Sequence, residues 1–173
     1  MAADETALLA LLNSTPVIAG TPADELADEE SARRWLRAHK IPARPEDAAL
    51  LREGRDLLQA VVRGDLPPKA LTPLLEGAVS RPSITPAGLA WTVDLHGARA
   101  VLVDAVIAWD DLQRNRPGRL RPCANDECAL FLIDRSKSNS ARWCSMATCG
   151  NKLKARRHYQ RSRSADDVDD AQA

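Results

Sequence analysis

The sequence predicts a mainly α N-terminal domain with one β-hairpin, followed by a small C-terminal module built around its cysteines. Three observations lead there. Apolar residues recur at helical spacing over much of residues 1–115, which is the mark of amphipathic helices. Ile84-Thr85 and Trp91-Thr92-Val93 flank Pro86-Ala87-Gly88, a change to strand-like character. All four cysteines stand in two C-x4-C pairs, Cys123/Cys128 and Cys144/Cys149, fifteen residues apart. At 173 residues the chain has room for one ordinary domain and one small module.

The elements follow in order. Thr6–Leu12 is a short run of apolar helix formers, closed by the turn signal Asn13-Ser14-Thr15-Pro16. Gly20-Thr21-Pro22 reads as loop. Asp28, Glu29 and Glu30 place negative charge at the start of the next helix, where it suits the helix dipole. That helix runs to His39 with Trp35 and Leu36 on its buried face, and Ile41-Pro42 ends it. Pro45-Glu46-Asp47 opens a further helix. Leu50, Leu51, Leu57, Leu58, Val61 and Val62 form its apolar face, and Gly64 stops it. Gly54 inside it costs about 1 kcal/mol against alanine, which marks a place of close packing. Pro67-Pro68 begins a shorter helix through Leu71, Leu74 and Leu75.

After the hairpin comes the strongest helix. Ala98, Val101, Leu102, Ala105, Val106, Trp109 and Leu112 make one broad apolar stripe. Asn115-Arg116-Pro117-Gly118 breaks the chain between domains. The division is 1–115 as an α-rich domain, to which only the resemblance given below assigns a regulatory or sensor role, 119–163 as a finger, and 164–173 as an acidic disordered tail. Within the finger, Leu130–Ile133 reads as a strand and Ser136–Ser140 as a polar turn. Ala141-Arg142-Trp143 reads as the return strand, and a helix runs from near Thr148 to about Ser162. A knuckle, a hairpin and a helix carrying the last ligand make a treble-clef-like plan.

Two chemistries compete for four cysteines in this window: two disulfides, or one tetrahedral metal site. Nothing after Met1 resembles a secretory signal, so a cytoplasmic, reducing setting is expected. There, paired cysteines are ligands more often than bridges. Cys123, Cys128, Cys144 and Cys149 are the candidate ligands of one structural Zn2+, since two short loops can bring four thiolates to one point. Four protein ligands leave no open position for hydrolysis. So small a module cannot bury enough apolar surface to hold itself, and metal binding supplies the missing folding energy. Gly150 is expected to let backbone N–H groups turn toward the sulfurs, and Asn151 to cap the helix. His158, nine residues beyond Cys149, is too far along the helix to be a ligand; His39 and His96 read as structural. Trp143 reads as packing over the finger.

The formal net charge is zero, but its distribution is uneven. Residues 1–113 carry 11 Lys and Arg against 17 Asp and Glu, a net −6. Residues 114–163 carry 13 against 3, a net +10, and the tail carries four Asp. A basic module beside an acidic body is the electrostatic footprint of a nucleic-acid binder. Arg135, Lys137 and Arg142 come before the last helix, and Lys152, Lys154, Arg156, Arg157, Arg161 and Arg163 lie along it, with Tyr159 between. These are the candidate nucleic-acid contacts. Phosphate contact from such a helix needs no sequence code; Arg156 and Arg157 are the candidate base readers. The acidic tail could fold back on the basic helix as a decoy. One Phe and one Tyr argue against an aromatic platform for single strands. No apolar stretch approaches the ~20 residues of a membrane span, so no membrane partner is expected. No Ser/His/Asp order, phosphate loop or HExxH is present, so no enzyme is expected. Three alternatives stay open: a protein-interaction or purely structural finger, a binder of structured RNA, and a degenerate enzyme in the N-terminal domain.

The run Cys123…Cys128, Asp134-Arg135-Ser136, Ser140–Met146, Cys149-Gly150-Asn151-Lys152, then Lys154…Tyr159…Arg161 resembles the CGNR zinc finger family. The resemblance covers Arg121–Arg163 and extends loosely to Leu11-Leu12-Asn13-Ser14 and Ala32–Leu36. It implies a bacterial, stress-induced transcription regulator. It also implies one zinc ion in a C-terminal finger that binds duplex DNA, and an N-terminal helical domain answering to a small-molecule or protein effector. Two departures stand out. The fourth letter of the family's name is Lys152 here, which keeps the charge and loses the planar fork. The run after Cys128 is Ala-Leu-Phe-Leu-Ile, where the family usually has a Trp.

Overall fold

The computed structural model describes residues 4–18, 20–41 and 43–156. The fold is mostly helical with small antiparallel hairpins. Helix α1 (Glu5–Leu12) starts where Asp4 accepts from the Thr6 and Ala7 N–H groups at 3.0 Å, satisfying donors that a first helical turn leaves free. Helix α2 (Glu29–His39) is capped in the same way by Asp28, which accepts from Ser31 N–H at 2.8 Å, and closes on Lys40 in the left-handed region. Helix α3 (Ala48–Arg63) ends at Gly64 with φ 86°, a conformation that glycine adopts without strain. A 3-10 helix (Pro68–Leu75) follows. Pro73 within it has no N–H to donate, so the run stays short and irregular. Helix α4 (Gly97–Asn115) closes the helical body.

The apolar spacing is realised in the packing. Leu51, Leu58 and Val61 of α3 are buried, with Leu50, Leu57 and Val62 partly so. On α4, Ala98, Val101, Leu102, Ala105, Val106 and Leu112 are buried and Trp109 packs against them. Trp35 and Leu36 are buried on α2 as expected. Gly54 is a contact point between α3 and α4, where an added Cβ would lie 2.3 Å from Leu102.

Three two-stranded antiparallel sheets are present among the described residues. Strands β1 (Val17–Ile18) and β2 (Thr21–Pro22) pair across Gly20, where a plain loop is expected. The N-terminal part therefore carries a second, minimal hairpin. Strands β3 (Ser80–Thr85) and β4 (Gly88–Val93) form the expected hairpin, longer than its apolar residues suggest. Its turn is Pro86-Ala87, with Gly88 at φ 110° opening the second strand.

The finger's strands depart from expectation. Strand β6 (Phe131–Ile133) pairs with β5 (Leu120–Pro122), which precedes the first cysteine. The register is Leu120↔Ile133, Arg121↔Leu132 and Pro122↔Phe131. Residues 141–143 form no strand. The reason is local. The buried carboxylate of Asp134 accepts from the N–H groups of Ser136 and Ala141, each at 2.8 Å, and this turns the segment into a loop.

The hydrophobic core runs from the helices into the first half of the finger. Leu120, Phe131 and Ile133 belong to the same buried cluster as Leu8, Leu58 and Leu112. Phe131 is 1 % exposed, and burying a side chain of that kind contributes about 1.5–3 kcal/mol. Finger residues thus supply part of the body's own core.

Candidate metal centre

The ladder of β5 and β6 delivers the first cysteine pair. Beyond Pro122↔Phe131, Cys123 N–H donates to Leu130 O at 2.8 Å. The knuckle then turns tightly, with Cys128 N–H donating to Asn125 O at 2.8 Å. The second pair is brought in by the loop around Asp134. Arg121 Nη2 contacts Asp134 Oδ2 at 2.5 Å and also donates to Asn139 O and Oδ1. At the far end of that loop Ala124 N–H donates to Arg142 O at 2.8 Å, which sets Trp143 and Cys144 beside the first knuckle. Cys149 lies in a single π turn (Met146–Gly150), continued as α-helix over residues 151–156.

These elements converge on one point. The four sulfurs lie within 4.8 Å of one another. Cys128 to Cys144 and Cys144 to Cys149 are each 3.7 Å. A zinc ion about 2.3 Å from each of four tetrahedral sulfurs places them about 3.8 Å apart. A disulfide would need about 2.05 Å, and all four cysteines are free. The donor set and its spacing therefore fit a single zinc ion. Bound by four thiolates, zinc supplies structure and keeps no open position for a substrate.

The surroundings tune the sulfurs. Burial pushes the Cys128 thiol up to about 11. Burial, together with neighbouring thiols, raises Cys144 as well. Burial also acts upward on Cys149, but hydrogen bonds from Asn125 and the other cysteines outweigh it and hold that thiol below its ordinary value. Asn125 is buried, and its Nδ2–H donates to Cys149 Sγ at 3.5 Å. Cys144 N–H donates to Cys123 Sγ at 3.5 Å. Such donors orient thiolates and offset their charge.

Residues 119–162 match the family model of the CGNR zinc finger. No curated protein matches the chain. In the matched segment the glycine of the family's name has a different task from the one expected. Gly150 N–H donates to Ser145 O at 3.0 Å rather than toward a sulfur. A Cβ there would meet Met146 Sδ at 2.7 Å and Trp143 Cδ1 at 3.2 Å, so the glycine makes room for the packing of Trp143. Asn151 is inside the helix; Ser145 is the cap, accepting from Thr148 N–H at 3.4 Å.

The candidate nucleic-acid residues do not share one environment. Lys152 and Arg156 are exposed and both reach Glu127 of the first knuckle, at 2.5 and 3.4 Å. Arg135 pairs with Glu5 of α1 at 3.6 Å. Arg142 lays its guanidinium 5.2 Å from the Trp143 ring centre. Lys137 and Lys154 are exposed and make no ion pair among the described residues. Arg157, Arg161 and Arg163, with His158, Tyr159 and the 164–173 tail, lie outside the described residues. A groove of about 860 Å³ runs beside the cysteines, between the β1–β2 hairpin and the start of the last helix, with Glu127, Thr148 and Lys152 on its wall.

Asn125 and Asp134 carry much of this geometry, and sequence reasoning assigned neither a role. The signal for Asp134 was present: it is one of only three acids in the basic stretch 114–163.

Proposed function

We propose that the protein is a zinc-dependent DNA-binding transcription regulator that uses the basic helix after Cys149 to engage duplex DNA. In this reading a treble-clef-like CGNR finger holds the helix, and the helical body answers to an effector. The observation that carries it is the net +10 of residues 114–163 beside a body of −6. Exposed Lys137, Arg142 and Lys154 lie within that stretch. Cations so arranged neutralise phosphates and release counterions, whatever the base sequence. The test is binding of the zinc-loaded full chain to a duplex pool across a salt series. Lys154→Ala and Arg142→Ala are each expected to lower the log–log salt slope by about 1. Unchanged affinity and slope in both would overturn this reading.

A second reading has its own observation. Glu127 and Glu5 already pair with Lys152, Arg156 and Arg135. A finger whose cations are matched internally suits a structural or protein-interaction module, and would show no duplex affinity at low salt.

A further inference from the structure

Asn13 and Arg63 belong to the helical body, yet both grip the short segment that follows Cys128. Asn13 Nδ2–H donates to Phe131 O at 3.2 Å, and Asn13 Oδ1 accepts from Phe131 N–H at 2.7 Å. The side-chain amide thus makes with β6 the pair of bonds that a neighbouring strand would make. Arg63 Nη2–H donates to Ala129 O at 3.4 Å, and its guanidinium lies 4.8 Å from the centre of the Phe131 ring. Gln59 ties this grip to α1. Its Nε2–H groups donate to Leu12 O at 2.8 Å and Thr15 Oγ1 at 2.9 Å, and its Oε1 accepts from Arg63 at 3.4 Å.

Only Ala129 and Leu130 separate Cys128 from Phe131. Leu130 O in turn accepts from Cys123 N–H. The grip therefore reaches two of the four cysteines through a few stiff bonds. Strand β6 has β5 along one edge, and Asn13 supplies bonds at Phe131, so the body holds this segment by bonds separate from those through the Cys128 sulfur.

We propose that Asn13 and Arg63 are positioning residues for the zinc centre, and that zinc occupancy and order in the α1–α3 end of the body are reciprocally linked. The physical reason is ordering entropy. A ligand loop already fixed by the body loses less freedom when the ion arrives, and so binds it more tightly. Linkage then requires the converse: an ion that fixes Cys128 also steadies Asn13 and Arg63. The inference rests on the zinc reading of the four cysteines.

The test uses the full chain, with zinc affinity measured by competition against a chromophoric chelator. Asn13→Ala is expected to weaken zinc about tenfold, the low end of what removing groups behind metal ligands costs, and Arg63→Met less, a few-fold. Leu36→Ala, which loosens the body at α2 away from the joint, is expected to leave zinc affinity within about twofold. Hydrogen exchange on the unmutated chain gives an independent readout, since removing zinc is expected to speed exchange at Asn13, Ser14 and the last turn of α3. Wild-type zinc affinity in a folded Asn13→Ala chain would overturn the proposal. So would equal weakening by Leu36→Ala, or exchange in α1 and α3 that ignores the metal. A wild-type chain that takes up no zinc would instead remove the metal reading itself.

Discussion

Asp134 is the acid on which the segment between the two cysteine pairs turns. It is 1 % exposed, and its carboxylate accepts from two backbone N–H groups and from Arg121. Hydrogen bonds from Ser136, then from Ala141 N–H, with the Arg121 charge beside them, outweigh burial and lower its pKa to about 2. The folded value lies below the ordinary 3.8. Its stabilisation is therefore complete above about pH 4 and is lost as pH falls toward about 2. A titration of the Asp134 carboxyl carbon is expected to show that low midpoint; a midpoint near 3.8 would contradict the assigned bonds. Glu127 offers a second test at this scale. Its pairing with Lys152, first through their hydrogen bond, holds its carboxyl below the ordinary range. Glu127→Gln releases two cations of the last helix. If that helix meets phosphates, duplex affinity at low salt rises and the salt slope steepens by about 1 to 2. An unchanged slope would mean that Lys152 and Arg156 do not touch nucleic acid.

At the scale of elements, the crossing of α3 on α4 depends on Gly54. An alanine there would drive its Cβ into Leu102, and overpacking of this kind costs about 1–3 kcal/mol. Gly54→Ala is expected to lower the unfolding free energy measured by chemical denaturation by that amount, and a neutral or stabilising effect would show that the helices part easily. This contact was legible in the sequence, because helical period is a local property: the apolar faces of α3 and α4 and the glycine between them are visible without knowing the fold. The C-x4-C pairs were legible for a similar reason, since ligand spacing is written along the chain. Strand partners were not. Leu130–Ile133 reads as a strand, but nothing local says that it pairs upstream with Leu120–Pro122 rather than downstream with Ala141–Trp143. Asn13 shows the limit most clearly. In sequence it is a turn residue after α1, and its partner Phe131 is 118 positions away.

At the scale of the molecule, the acidic body and the basic finger are joined by a common core and by ion pairs such as Arg116 and Arg135 with Glu5. Loss of the metal therefore has consequences beyond the knuckles. Without the ion, Cys144 and Cys149 no longer share a centre with Cys123 and Cys128, and the last helix loses the anchor that sets its direction. Chelation is expected to release that helix first and then to weaken the body through Phe131 and Ile133, seen as a lower thermal midpoint that added zinc restores. The most direct test of the account is the metal and thiol content of the purified full chain, measured by mass spectrometry under non-denaturing conditions. The account predicts one zinc ion per chain and four thiols that become reactive once it is removed. A metal-free chain that is fully folded, or one whose cysteines are joined as disulfides, would contradict it.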